Sequence, residues 1–236
     1  MQNGKDDMKN ELTILILCGG EGERLRPLTA DTPKPLINIK GRPILTYLLE
    51  HLQKFKLQNI VIAAGFKHEK IYQFFEENHK DLNVQIIESG DVDIIERIKL
   101  CAQSIKGDFI LLYGDTLADV NFDNLMNFHF SHDSQASITV YPLKSQFGLA
   151  EIDSDNNVIE FREKPTLNQW INIGNFYFEK GIIPFLSSFT SFADFLEEAG
   201  RQKMLKAFKH DGVHITVNTL RELEEAELNV HEFLKG

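Results

Sequence analysis

The stretch Leu12-Thr-Ile-Leu-Ile-Leu-Cys18, continuing into Gly19-Gly-Glu-Gly-Glu-Arg24-Leu-Arg-Pro-Leu-Thr29, decides how this chain is read. The first part is continuously apolar and β-rich, without polar alternation. That pattern marks a strand buried on both faces, as in a parallel sheet. Glycines directly after such a strand let the backbone pass close to a ligand, and their free N–H groups can cradle phosphate oxygens. Arg24, Arg26 and, after Thr32-Pro33, Lys34 bring positive charge to the same loop. Pro27, Pro33 and Pro35 stiffen it and lower the entropy lost in holding those charges.

Downstream, apolar β-rich runs alternate with segments of helical period. Pro43 opens a helix with Ile44, Leu45, Leu48, Leu49, Leu52 and Phe55 on one side. Strands are expected at 59–64, 84–87, 109–113 and 136–141, and helices at 67–77, 93–105 and 122–131. This rhythm predicts a doubly wound α/β sheet with ligands at the strand C-termini. After Tyr141 the rhythm changes. A hairpin is expected over 149–161 and a strand over 171–178, followed by short helices at 183–186 and 192–199 and strands near 205–208 and 214–217. Thr219-x-x-Glu222 reads as a capping box opening a last helix. One domain over 11–236 is expected after a flexible start over 1–10, divided at the change of rhythm into halves 11–141 and 142–236.

The chain has 236 residues, 42% hydrophobic, with 25 Lys and Arg against 35 Asp and Glu, a formal charge of −10. A surface of that sign repels nucleic acid and anionic lipid, so neither is an expected partner. Cys18 and Cys101 form neither a metal-type pair nor a disulfide framework, and the N-terminus lacks an apolar signal core. A cytoplasmic setting is expected.

The glycine-rich loop resembles the opening motif of the sugar-1-phosphate nucleotidyltransferases (NDP-sugar pyrophosphorylases), G-G-x-G-[ST]-R-L-x-P-L-T followed by P-K-P. Further segments resemble the same family: Tyr113-Gly-Asp115, Phe147-Gly148 with Glu160-Phe-Arg-Glu-Lys-Pro165, and Ile171-Asn-Ile-Gly174. Ala207-Phe-Lys-His-Asp-Gly212 and Asn218-Thr-Leu-Arg221 are most similar to glucose-1-phosphate cytidylyltransferases. The resemblance implies a Rossmann-like mixed sheet with a small C-terminal sugar-binding part of hairpin and helices. It implies transfer of a nucleotidyl group from a nucleoside triphosphate, CTP favoured, to a sugar 1-phosphate, with Mg²⁺.

By the same resemblance, Arg24, Lys34 and Asp115 are the candidate catalytic residues. Cys18, Gly19, Gly20, Glu21, Gly22, Glu23, Glu88 and Gly114 join Arg24 and Lys34 around the nucleotide. Gly148, Glu163, Lys164, Asn172 and Gly174 face the sugar phosphate, and Asp115 with Asn218 bind the metal. The departures are equally specific. Asn218 stands where the family has aspartate, and Asp119 or Asp211 is a candidate to compensate. Ile94, Ile95 and Glu96 replace a small-residue motif and are expected to crowd the nucleotide. Ile173 replaces a glycine, and Glu23 a Ser or Thr. The alternative is an atypical member that binds nucleotide or a phosphorylated substrate without standard turnover. The oligomeric state, homo-oligomer included, is left open.

Overall fold

The computed structural model describes residues 9, 11–80 and 82–235. Of the start expected to be flexible, all but Lys9 lies outside the described residues. The strands in chain order are β1 (Thr13–Cys18), β2 (Asn38–Ile39), β3 (Arg42–Pro43), β4 (Ile60–Ala64), β5 (Val84–Glu88), β6 (Phe109–Tyr113), β7 (Thr116–Ala118), β8 (Ala136–Lys144), β9 (Leu149–Ile152), β10 (Val158–Arg162), β11 (Thr166–Phe178), β12 (Leu205–Lys209) and β13 (His214–Thr216). The helices are α1 (Ile44–Lys54), α2 (His68–Asn78), α3 (Ile94–Cys101), α4 (Phe122–Phe130), α5 (Ile183–Leu186), α6 (Phe192–Arg201) and α7 (Leu220–Phe233).

The central sheet has seven strands in the order β12-β8-β11-β6-β1-β4-β5. β1 pairs in parallel with β4 and β6, and β4 with β5; only β11 runs against its neighbours. Because β1 is covered on both faces, its alternating side chains enter two cores. Ile14 and Ile16 join Ile62, Ile110 and Leu112 under α1, α4 and α7. Leu15 joins Val61, Leu111 and Ile98 under α3 and α6. Each such fully buried side chain contributes about 1.5–3 kcal/mol.

The chain leaves β1 toward β4 and β5, then crosses back to β6 on the other side of β1. The order therefore reverses between β1 and β6, and a crevice opens at their C-terminal ends, where doubly wound sheets bind ligands. One expectation is corrected in detail. The helix expected over 93–105 is shorter: Asp93 caps α3 by accepting from Ile95 N at 2.9 Å, and Ala102–Ser104 tightens into a 3₁₀ turn. Within α3, Leu100 faces out, 51% exposed.

Candidate active site

Four segments far apart in sequence meet at the β1–β6 crevice, each steered there by local chemistry. After β1, Gly22 adopts a left-handed φ of 66°, open to glycine at little cost. A 3₁₀ turn at Glu23–Leu25 then buries Leu25 and leaves Arg24 exposed. Buried Thr29 pins the turn by donating its hydroxyl to Gly22 O at 2.8 Å. A second 3₁₀ turn, Lys34–Leu36, carries Lys34 inward until only 9% is exposed. Gly114 donates to Leu17 O at 3.0 Å. A Cβ at position 114 would lie 2.7 Å from Cys18 Sγ. That close approach places Asp115 over the end of β1.

The fourth segment is the cap of α7. Thr219 Oγ1 accepts from Glu222 N at 3.2 Å, and the Glu222 carboxylate accepts from Asn218 N at 2.5 Å. The expected capping box is present, with its carboxylate reaching one residue beyond the cap. It fixes Asn218 beside the loop.

Lys34 Nζ donates to Asp115 Oδ2 at 2.5 Å and to Asn218 Oδ1 at 2.7 Å, while Arg24 Nη2 donates to the same amide oxygen at 3.4 Å. Two adjoining cavities share Gly20, Lys34 and Asp115. One, of about 460 Å³, is walled by Gly22, Glu23, Arg24 and Asn218; the other, of about 370 Å³, by Cys18, Gly19, Asp93, Ile94, Arg97 and Tyr113. The N–H groups of Gly20, Glu21 and Gly22 find no acceptor among the described residues. Unpaired amides beside two cations make an anion cradle. Burial, helped by Asp115, pushes the Cys18 thiol well above its ordinary range, so it stays neutral and unreactive. Burial raises the Tyr113 phenol to about 12.

The remaining candidates lie elsewhere. Glu21 pairs with Arg26 at 3.2 Å, and exposed Glu88 sits 3.5 Å from His68 Nε2; neither walls the two cavities. Gly148 and Glu163 come together on the β9–β10 hairpin: a Cβ at 148 would lie 2.8 Å from Glu163 Oε2. Lys164 is exposed at a left-handed φ of 43°. Asn172 Oδ1 accepts from Gly174 N at 2.8 Å, and Gly174 lets the Tyr113 ring approach within 2.4 Å of where a Cβ would be. None of these residues, expected from sequence to face the sugar phosphate, walls either cavity.

Two expectations about the departures are overturned. Ile95 and Glu96 do not crowd the crevice: Ile95 is fully buried among Val61 and Leu111, and Glu96 faces solvent, paired with Lys99 at 2.7 Å. Only Ile94 of that trio touches the cavity. Asp119 does not compensate for Asn218, because it is bound to His210 at 3.1 Å and Val213 N at 2.6 Å. Sequence reasoning missed Arg97, a 5% exposed guanidinium beneath Gly19. The signal was an arginine at i+3 from Ile94 and i−4 from Cys101, on the apolar face of its helix.

Among the described residues no group of three His, Cys, Asp or Glu side chains is arranged for a metal. Asp115 and Asn218 offer one charged and one neutral oxygen to the same cavity, both now turned to Lys34. This donor set fits an ion shared with substrate phosphates, the usual mode for Mg²⁺, rather than a resident one. No helix among the described residues is long and apolar enough to cross a membrane.

The chain is similar to proteins of known type. The bifunctional protein GlmU of Methanocaldococcus jannaschii is 30% identical over 204 residues, covering 84% of this chain and 46% of GlmU. The chain thus spans about half the length of that relative. The "probable glucose-1-phosphate cytidylyltransferase" of Bacillus subtilis is 29% identical over 240 residues, covering 91% of this chain and 94% of its own length. The crystal structure of HddC from Yersinia pseudotuberculosis complexed with GMP-PN superposes with a TM-score of 0.71 at 24% identity, covering 93% of this chain and 99% of HddC, and so shares the fold. The nucleotidyl transferase family model matches residues 13–219. That match runs from the first residue of β1 to the cap of α7 and takes in both walls of the crevice: the chain belongs to the nucleotidyl transferase family.

Proposed function

We propose that the chain transfers a nucleotidyl group from a nucleoside triphosphate to a sugar 1-phosphate. The observation that carries the reading is the convergence of Gly20 and Gly22, whose amides have no acceptor among the described residues, with Arg24 and Lys34 on one cavity floored by Asp115. A phosphate oxygen of the sugar phosphate attacks the α-phosphorus. The bond from that phosphorus to the α,β-bridging oxygen breaks, and pyrophosphate leaves. No covalent intermediate on the protein is needed, so positioning and charge neutralisation carry the rate.

In this reading the loop amides and Arg24 hold the β- and γ-phosphates and offset charge on the departing pyrophosphate. Lys34 turns from Asp115 and Asn218 to the α-phosphate. Asp115 and Asn218 would hold a divalent ion, Mg²⁺ by the chemistry of their oxygens, which supplies further charge neutralisation when bound. The hairpin brings Glu163 and Lys164 to the sugar hydroxyls and phosphate. CTP is the first nucleotide to test, on the C-terminal motifs and on the similarity to the Bacillus subtilis relative. The assay is pyrophosphate release with CTP, GTP, UTP and dTTP against a panel of sugar 1-phosphates and divalent ions. Release with at least one pair is expected; no release with any pair contradicts the reading.

One observation favours a second reading, binding without standard turnover: Lys34 bonds both prospective metal ligands. It predicts thermal stabilisation by a triphosphate with no pyrophosphate formed, and recovery of activity in Asn218→Asp.

A further inference from the structure

Arg97 lies on α3, outside the glycine loop, yet its guanidinium ends beneath it. Nη1 donates to Ser89 Oγ at 2.6 Å and Nη2 to Gly19 O at 3.2 Å. The space is built for that group. A Cβ at position 19 would lie 1.6 Å from Nη1, and one at position 65 would lie 2.7 Å away. Glycines after β1 and β4 therefore admit a guanidinium that any larger residue would displace. Ser89, after β5, is itself fixed to Ala64 O through both N and Oγ. No carboxylate bonds the guanidinium among the described residues; Asp91 and Asp93 act on it only at longer range. Burying a cation that way is costly unless its donors are well used.

Gly19 O accepts a second bond, from Phe66 N at 3.2 Å. Two donors therefore hold this carbonyl down toward the sheet. The peptide joining Gly19 to Gly20 is trans, so it is planar with C=O and N–H pointing in opposite directions. With the carbonyl held from below, the Gly20 N–H faces the other way. Gly20 lines both cavities, and its N–H has no acceptor among the described residues.

We infer that Arg97 is a positioning residue: it locks the Gly19–Gly20 peptide so that the Gly20 N–H is presented to a bound polyphosphate. This rests on the polyanion reading above and adds the device that orients the loop. Arg97 acts through geometry, by bridging Ser89 and Gly19, and not through its charge alone.

The test is calorimetric titration of the full chain with inorganic tripolyphosphate and with CTP, for wild type, Arg97→Met and Arg97→Lys. Arg97→Met is expected to weaken both ligands roughly tenfold, the loss of one charge-assisted hydrogen bond. Arg97→Lys keeps the charge but cannot span two acceptors, and is expected to fall equally. Arg97→Gln, which retains a donor, serves if the methionine variant does not fold. Gly19→Ala displaces the guanidinium, so combining it with Arg97→Met is expected to cost less than the sum of the two single changes. A general loss of stability would lower the melting temperature without this coupling and without a selective fall in affinity. Full affinity in Arg97→Lys, or unchanged binding in a folded Arg97→Met or Arg97→Gln, overturns the inference alone. If wild type binds neither ligand, the polyanion reading fails and the inference falls with it.

Discussion

Lys34 and Lys164 carry the same charge in opposite surroundings. Lys34 is buried and tied to Asp115 and Asn218, side chains from segments more than eighty and a hundred and eighty positions away along the chain. Lys164 follows β10, whose five residues are all exposed, and has no bonded partner among the described residues. The crevice lysine is held by side-chain bonds before any ligand arrives; the hairpin lysine is not. A preformed cation spends little entropy on binding, whereas an exposed long side chain gives up about 0.5–1.5 kcal/mol when immobilised. The contrast assigns the two regions different work. Under the function proposed above, the crevice is the site for the triphosphate and the exposed hairpin the site for the second substrate.

The sharpest way to break that contrast is Lys34→Met. Removing a preorganised cation from the crevice is expected to lower turnover roughly 10²–10³-fold, read by pyrophosphate release at saturating substrates. An effect no larger than that of Lys164→Met would erase the distinction.

Acid tests whether the crevice depends on the β7–β13 pair that leads into Asn218. His214 on β13 pairs with Ala118 of β7, its ring lies 5.1 Å from Tyr141, and its Nε2 has no partner in the described structure. Burial holds its pKa down to about 4. The unfolded chain takes up this proton near pH 6.5 and the folded one only near 4, so stability is complete above 6.5 and is lost as pH falls toward 4. At most about 3 kcal/mol is at stake. Buried His51 and His129 shift in the same direction. A melting temperature that falls over this window in wild type, and less in His214→Gln, is the expected result.

Glu163→Gln and Lys164→Met probe the hairpin. Each is expected to raise KM for the sugar phosphate up to about tenfold, leaving triphosphate affinity unchanged, because an exposed polar contact is worth about 1 kcal/mol. The smallest effect is expected from Trp170→Ala. The indole is 42% exposed, with Lys209 Nζ 4.7 Å above it, and an exposed cation–π pair contributes about 0.5–1 kcal/mol. The melting temperature should barely move.

The same contrast explains what was legible in the sequence. β1 could be read because six apolar residues and one β-branched Thr, without polar alternation, permit little else, and the loop after it because glycines, arginines and Pro-Lys-Pro coincide. Phases along α3 were harder. Alignment by motif put Ile95 and Glu96 on the cavity, but the helical turn set by the Asp93 cap sends one into the core and the other to solvent. Arg97 was invisible to motif reading because its partners, Ser89 and Gly19, come from two other strand ends. Asp119 looked free to assist Asn218, yet its bond to His210 crosses 91 positions of chain, which no local pattern reveals.

The most direct test of the account is amide NMR of the full chain titrated with CTP and with inorganic tripolyphosphate. The N–H signals of Gly20, Glu21 and Gly22 should shift most with either ligand, and those of the β9–β10 hairpin should stay in place until a sugar 1-phosphate is added. Shifts centred on the hairpin, or loop signals unmoved at saturation, would contradict it.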